Sequence, residues 1–287
     1  MKKPIFFALI ALLLASLACT INIGVPRTQT TETQTFKVNE PAPEGTGPAE
    51  VSINMGAGTL NIAGGGEGLI QGTIKYNVKD WKPSITTAGR KVTLQQGNTK
   101  GISGFPTSEV VNDWVLQLTN ALPLALTINA GAYQGELDLS GLRLQSLAIN
   151  DGASKSSVMF KEANPEKMET FTYKTGASQV KLEGLALANF GEMSFESGAG
   201  DYTLDFTGGK LSQAADVQIK TGVSNVTIRV PAAMSVKVHN LGAVSNVDTQ
   251  GTWTVESSTY TASGAGPQLT INIGMGVGNL ELIRVEE

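Results

Sequence analysis

The sequence predicts an all-β fold: a single-stranded, right-handed β-solenoid with irregular β caps at both ends. Three observations predict it. A short pattern of alternating apolar residues, a glycine bend and more alternating apolar residues recurs along the chain. The bends return at a period of about 22 residues, the length of one coil. The apolar alternation also changes phase at each bend.

The copies begin with INMGAGTLNI from Ile53 and a looser LTINAGAYQGELDL from Leu126. They continue with LAINDGASKSSVMF from Leu147, FTYKTGASQVKL from Phe171 and MSFESGAGDYTLDF from Met193. The last three are VQIKTGVSNVTIRV from Val217, VKVHNLGAVSNVDT from Val236 and LTINIGMGVGNLEL from Leu269. Around Gly222, Val217 and Ile219 are apolar on odd numbers, whereas Val226, Ile228 and Val230 are apolar on even ones. Alternation with period two marks a strand with one buried face. An odd number of bend residues turns the corner and keeps both faces inward, as a solenoid coil requires. The bend glycines Gly131, Gly152, Gly176, Gly198, Gly222 and Gly242 follow at intervals of 21, 24, 22, 24 and 20. Coils of that length stack at about 4.8 Å into one apolar column, with right-handed winding expected from the crossover rule. The competing fold is a β-sandwich of consecutive hairpins.

The period breaks at both ends, between Gly56 and Gly131 and between Gly242 and Gly274. Terminal repeats must cover the open ends of the column, so both breaks read as meander-like caps. The N-terminal cap region spans residues 49–125, and the repeats with the C-terminal cap span 126–285. The segment Gly97–Val110 reads as the longest loop.

Residues 1–18 read as a secretory leader: Lys2 and Lys3, then an apolar run from Ile5 to Leu14, too short to span a bilayer. Ala18 directly before Cys19 resembles a bacterial lipobox, with Ser16 where leucine is usual. Cys19, the one cysteine of the chain, is then the lipidation site, and two acyl chains give stable anchoring. The alternative is an ordinary signal peptide cut at an Ala-x-Ala-like site. The lipidated residue and a Thr/Pro-rich tether occupy 19–48; residues 20–48 hold seven Thr and four Pro, with little apolar periodicity. The expected location is extracytoplasmic, on a bacterial membrane.

Composition narrows the chemistry. The 287 residues carry a net charge of -4 and 16% charged side chains, which excludes a nucleic-acid partner. One cysteine and one histidine cannot make a disulfide framework, a Cys-rich zinc site or a Cys/His dyad. No metal or cofactor is expected. Solenoid lyases and glycosidases need paired carboxylates in one cleft, but Asp138, Asp201, Asp205 and Asp248 are scattered among coils. GAGDYTL from Gly198 lacks the tandem repetition of a calcium motif, GGGEG from Gly64 precedes no helix, and His239 points outward on a strand. No catalytic residue is expected.

A polar position recurs after the bend: Thr59, Gln179, Asp201, Asn225, Asn246 and Asn279. Stacking brings Gln179, Asp201, Asn225 and Asn246 into a ladder, read as turn chemistry and hydrogen bonding, with a ligand stripe as the sharper alternative. Trp81, Phe105 and Trp114 come from the N-terminal cap region. They are either cap core or an exposed platform for a protein or glycan, the first patch to test for an interaction.

The stretch NDWVLQLTNALPLALTINAGAYQGELDLSGLRLQSLAINDGAS, with Trp114, Pro123–Leu124 and LDLSGL, resembles the toast-rack N-terminal module. TGVSNVTIRVP and MGVGNLEL resemble the C-terminal β-solenoid of LiaF-type cell-envelope stress proteins and related adhesin-like domains. The resemblance covers about residues 49–285. It implies a toast-rack solenoid and no catalytic residues. Three functions follow as expectations: a non-enzymatic envelope scaffold or adhesin-like module with an unknown protein or glycan partner, a glycan-binding or polysaccharide-active solenoid, or a modulator of an envelope stress sensor.

Overall fold

The computed structural model describes residues 29–97, 110–242 and 246–286. They form one sheet of sixteen strands, and among them no α-helix occurs. The first six strands are β1 (Gln34–Glu40), β2 (Ala49–Gly64), β3 (Ile70–Tyr76), β4 (Ser84–Ala88), β5 (Lys91–Gln95) and β6 (Asn112–Leu118). Five long bent strands follow: β7 (Leu124–Asp138), β8 (Leu144–Met159), β9 (Thr170–Glu183), β10 (Glu192–Asp205) and β11 (Ala215–Pro231). The last are β12 (Met234–Asn240), β13 (Asn246–Gln250), β14 (Thr254–Glu256), β15 (Thr259–Ala262) and β16 (Ala265–Val285).

Each long strand is one coil with two arms meeting at a corner glycine. In β11 the buried positions are Ala215, Val217, Ile219 and Thr221 before the corner, then Ser224, Val226, Ile228 and Val230 after it. This is the phase switch the sequence predicts. Strands β2, β7, β8, β9, β10, β11 and β16 stack in parallel in that order. The connections close a third side. They bury Leu139, Leu142, Phe160, Met168, Leu185, Phe190 and Phe206 against the arms. They also stack on one another, through bonds such as Asn164 N to Leu187 O (2.8 Å) and Met168 N to Asn189 O (2.9 Å). The buried Asn164 amide donates to the Leu144 and Ala188 carbonyls at 2.7 and 3.1 Å, which satisfies turns that strand pairing leaves open.

The core is one column. In its middle, Phe160, Phe171 and Phe190 meet edge to face at centroid separations of 6.2 and 6.0 Å, and Phe195 lies 5.5 Å from Tyr173 and 5.0 Å from Tyr202. Each fully buried side chain of this kind stabilises the column by about 1.5–3 kcal/mol.

Glycine is required at the corners by close approach. A Cβ on Gly131 would stand 2.4 Å from the Gly56 carbonyl oxygen. The same geometry repeats from Gly152 to Gly131, Gly176 to Gly152, Gly198 to Gly176, Gly222 to Gly198 and Gly276 to Gly222, at 2.4–2.8 Å. The final member of this column is Gly276, not Gly242 or Gly274. Gly274 pairs with Lys220 inside the first arm, and Gly242 lies against Met275 in the outer coil.

Both ends are built inside out. Next to β2, and outside it, β5 covers the first arm and β6 the second. Next to β16, and outside it, β12 covers the first arm and β13 the second. The chain therefore builds an outer split coil before returning to insert its last strand, β16, between β11 and β12. Antiparallel strands finish the caps: β3 on β6 and β1 on β3, β4 on β5, and the β14–β15 hairpin on β12.

Two sequence boundaries shift. The expected cap region 49–125 contains a complete coil, β2. Residues Gln34–Glu40, read as part of the tether, form β1 and pair with β3 from Gln34↔Tyr76 to Glu40↔Ile70, burying Val38 in the core. A seven-residue strand with only two inward apolar side chains, Phe36 and Val38, is too weak a periodic signal to stand out from a Thr-rich segment. The leader, Cys19 and most of the 97–110 loop lie outside the described residues.

Candidate functional site on the second arm

The outward face of the second arm carries a row of polar residues aligned by register alone. Residues just past the corner stack as Asp113, Thr59, Gln134, Lys155, Gln179, Asp201, Asn225, Asn279 and Asn246. The expected ladder is present and longer than its sequence signature. Gln134 and Lys155 extend it, but their neighbours differ enough from the other copies to hide them. Asn246 neighbours Asn279 rather than Asn225, because β16 inserts between their coils.

Side chains link several rungs. Thr59 donates to Asp113 at 2.8 Å, the Asn225 amide to Asp201 at 2.7 Å and the Asn279 amide to Asn225 at 2.9 Å. Asn246 turns aside and donates to Asp248 at 2.6 Å. These bonds are the structural chemistry expected of a ladder. A second ladder on the first arm joins Asn150 to Asn129 at 2.9 Å and Asn129 to Asn54 at 2.7 Å.

At its N-terminal half the second arm carries an open groove of about 550 Å³, with Asn61, Gln134, Glu136, Lys155, Gln179 and Lys181 among its lining residues. Amide and ammonium donors face it together.

The four carboxylates considered as an acid–base set are apart, and each serves the fold. Asp138 on β7 accepts from Lys161 Nζ at 2.6 Å and from Ser140 Oγ at 2.5 Å. Burial alone would raise its pKa, but these partners hold it below the usual carboxylate range. Asp205 on β10 accepts from Arg229 Nε at 2.9 Å and Thr207 N at 2.8 Å. Asp201 is a ladder member that accepts from Asn225, and Asp248 accepts from Asn246. His239 faces Thr259, with Nδ1 and Oγ1 3.1 Å apart. Among the described residues no group of three or more His, Cys, Asp or Glu is placed to hold a metal ion.

The aromatic patch is corrected. Trp81 and Trp114 are 4% and 0% exposed and belong to the core. Trp114 donates its indole N–H to Asn112 at 2.8 Å, because a buried indole needs a partner. They offer no platform, and Phe105 lies outside the described residues.

Sequence reasoning missed a polar network inside the corner. Asp151 occupies an inward position directly before corner Gly152. Its Oδ2 accepts from Tyr173 (2.8 Å) and Ser154 (3.1 Å); its Oδ1 accepts from Thr175 and from Ser178 at 3.4 Å. The Tyr173 and Ser156 hydroxyls lie 2.8 Å apart. Burial first, and then the charge of Asp151, push the Tyr133 phenol up to about 12; burial, Tyr133 and Asp151 raise Tyr173 further. A lone Asp in an apolar–polar pattern reads as a surface residue, which is why it escaped notice.

No curated protein sequence matches the chain. Solved structures do. A proposed cell adhesion protein from Clostridium sporogenes is 20% identical, with a TM-score of 0.47 over 88% of this chain and 99% of that one. A proposed adhesin from Bacteroides fragilis is 11% identical, with a TM-score of 0.34 over 90% of this chain and 99% of that one. Residues 25–183, more than half the chain, match the family described as the N-terminal domain of toast_rack, DUF2154, and the match takes in β1 as well as the first coils. The bent-strand column and this match agree: the chain belongs to the toast-rack family.

Proposed function

We propose that the chain is a non-enzymatic interaction module of a bacterial cell envelope, anchored by a lipid on Cys19. The observation that carries the reading is the outer surface of the coils. The four aspartates Asp138, Asp201, Asp205 and Asp248 sit on different coils and are bonded to neighbours, whereas the polar ladders run across coil after coil and present a broad face to a partner. A leader ending at Ala18 and a single cysteine directly after it supply the anchor. Among the described residues no helix is long and apolar enough to cross a membrane. The test is membrane fractionation with Cys19→Ala. Wild-type chain stays with membranes after a carbonate wash and the variant is released. A variant that remains bound removes the anchor from the account.

The groove on the second arm favours a second reading, in which the partner is an acidic polysaccharide. Lys155 and Lys181 line a trough with Gln134, Gln179 and Asn61, all able to donate to carboxylate or hydroxyl oxygens, and with one carboxylate, Glu136, which they outnumber. Salt-sensitive binding to uronic-acid polymers, lost in the Lys155→Ala/Lys181→Ala double variant, is expected. A flat response across a panel of acidic and neutral polysaccharides would end this reading.

A further inference from the structure

Two coils carry the same corner motif and meet different neighbours. In β9 the motif is Thr175–Gly176–Ala177–Ser178, and in β11 it is Thr221–Gly222–Val223–Ser224. All four hydroxyl residues are more than nine-tenths buried: Thr175, Ser178 and Thr221 are 8% exposed and Ser224 is 4% exposed. In β9 the hydroxyls of Thr175 and Ser178 lie 2.5 Å apart and both reach Asp151 Oδ1. Asp151 is the residue before the corner glycine of the preceding coil. For β11 that residue is Ser197, which pairs in register with Thr221. The following coil contributes Met275 beside Thr221 and Gly278 beside Ser224, neither with a polar side chain.

The consequence is three hydroxyls shielded from solvent: Thr221 Oγ1 and Ser224 Oγ have no protein hydrogen-bond partner, and Ser197 Oγ has at most the Tyr202 phenol beside it. Tyr202 donates to the Ala199 carbonyl at 2.5 Å, and its phenol oxygen is also the group within reach of the Ser197 hydroxyl. Leaving such groups unpaired is unfavourable, because their desolvation is not offset. Serine is shorter than aspartate by the carboxylate group, and a buried water molecule needs two to four polar partners.

We propose that the β10–β11 corner is a binding site for one ordered water, held by Ser197, Thr221 and Ser224 where Asp151 supplies a carboxylate oxygen two coils earlier. The water donates to two hydroxyls and accepts from the third, so the two corners reach the same hydrogen-bond satisfaction by different means. The site is independent of the proposed function, since it faces the interior.

A high-resolution crystal structure of the chain tests it, together with two variants. Wild type shows a density peak about 2.7–3.2 Å from all three hydroxyl oxygens. Ser197→Asp expels the water, and its carboxylate accepts from Thr221 and Ser224 as Asp151 does from Thr175 and Ser178. Thr221→Val, which keeps shape and removes one partner, lowers Tm by about 2–4 °C. A dry site gives the opposite pattern: no density, and a Tm that stays level or rises in Thr221→Val because an unpaired hydroxyl has been removed. That result overturns the proposal even if Ser197→Asp fails to fold.

Discussion

The Cα of Gly176 faces the carbonyl of Gly152, and a Cβ there would stand 2.4 Å from that oxygen. The corner is thus a stack of backbones in direct contact, with no room for the smallest side chain. Gly176→Ala should destabilise the chain by about 1–3 kcal/mol through overpacking. Gly191, where an added Cβ meets nothing within 4 Å, is the control, and Gly191→Ala should change stability by less than about 0.5 kcal/mol. Denaturant midpoints of the two variants measure the difference. Equal effects would refute the close-contact account of the corner.

Asp151 gathers the hydroxyls of Ser154, Tyr173, Thr175 and Ser178. Asp151→Ala strands buried donors from two coils and should lower stability by about 1–3 kcal/mol. Tyr173→Phe should cost about 1 kcal/mol, since Ser154 still serves the same oxygen. Chemical denaturation of both variants checks the ranking; an Asp151→Ala chain as stable as wild type would show that the network contributes nothing net.

Alkaline titration reads the same region. Tyr133 is pushed to about 12 by burial and Asp151, and Tyr173 and Tyr202 are also raised, with burial the leading cause. A phenol whose folded pKa lies above its unfolded value stabilises fully below about pH 10, and that contribution fades as pH rises towards the folded pKa. Phenolate absorbance should therefore show these three of the five tyrosines ionising later than a free phenol while the fold is intact. Ionisation of all five near pH 10 with the fold intact would contradict the buried cluster.

At acid pH the sign reverses. Burial raises the pKa of Asp138, but the hydrogen bonds from Lys161 and Ser140 outweigh it and hold the carboxyl low. Its contribution is present above the ordinary carboxylate pKa and is lost as pH falls through the depressed one. Lys161→Met should raise the Asp138 pKa measured by NMR titration, with little change in Tm, because the pair lies near the surface. An unchanged pKa would assign the shift to Ser140 alone.

Arg90 fastens the segment leading into β2. Its guanidinium donates to the carbonyls of Pro43 (3.2 Å), Glu44 (2.7 Å), Gly45 (3.0 Å), Gly47 and Pro48 (3.2 Å). Arg90→Ala should speed hydrogen exchange at the amides of Glu44 to Gly47 while β2 and β7 stay protected. Equal protection in the variant would show that the segment is held by other contacts.

The column was legible because its signal is repeated: the phase change around Gly222 recurs around Gly176 and Gly198, and no hairpin needs it so regularly. The insertion of β16 between β11 and β12 was not. It is a choice of neighbour in space, and residues 236–240 and 269–273 carry equally good strand patterns. Gly276 was passed over for Gly274 because MGVG offers two glycines two residues apart, and only the approach to Gly222 selects one. Trp114 was ambiguous because an indole suits a core and a platform alike; its N–H bond to Asn112 decides between them. The polar ladder was visible where Asn and Asp repeat, and hidden at Gln134 and Lys155.

The proposed function requires a coil column that stands on its own once its N-terminal anchor is removed. Limited proteolysis of spheroplasts tests it most directly. The account predicts release of one soluble, protease-resistant fragment beginning between residues 20 and 33, just before β1. A fragment that stays with the membrane pellet, or a column cut within β7–β11, would contradict it.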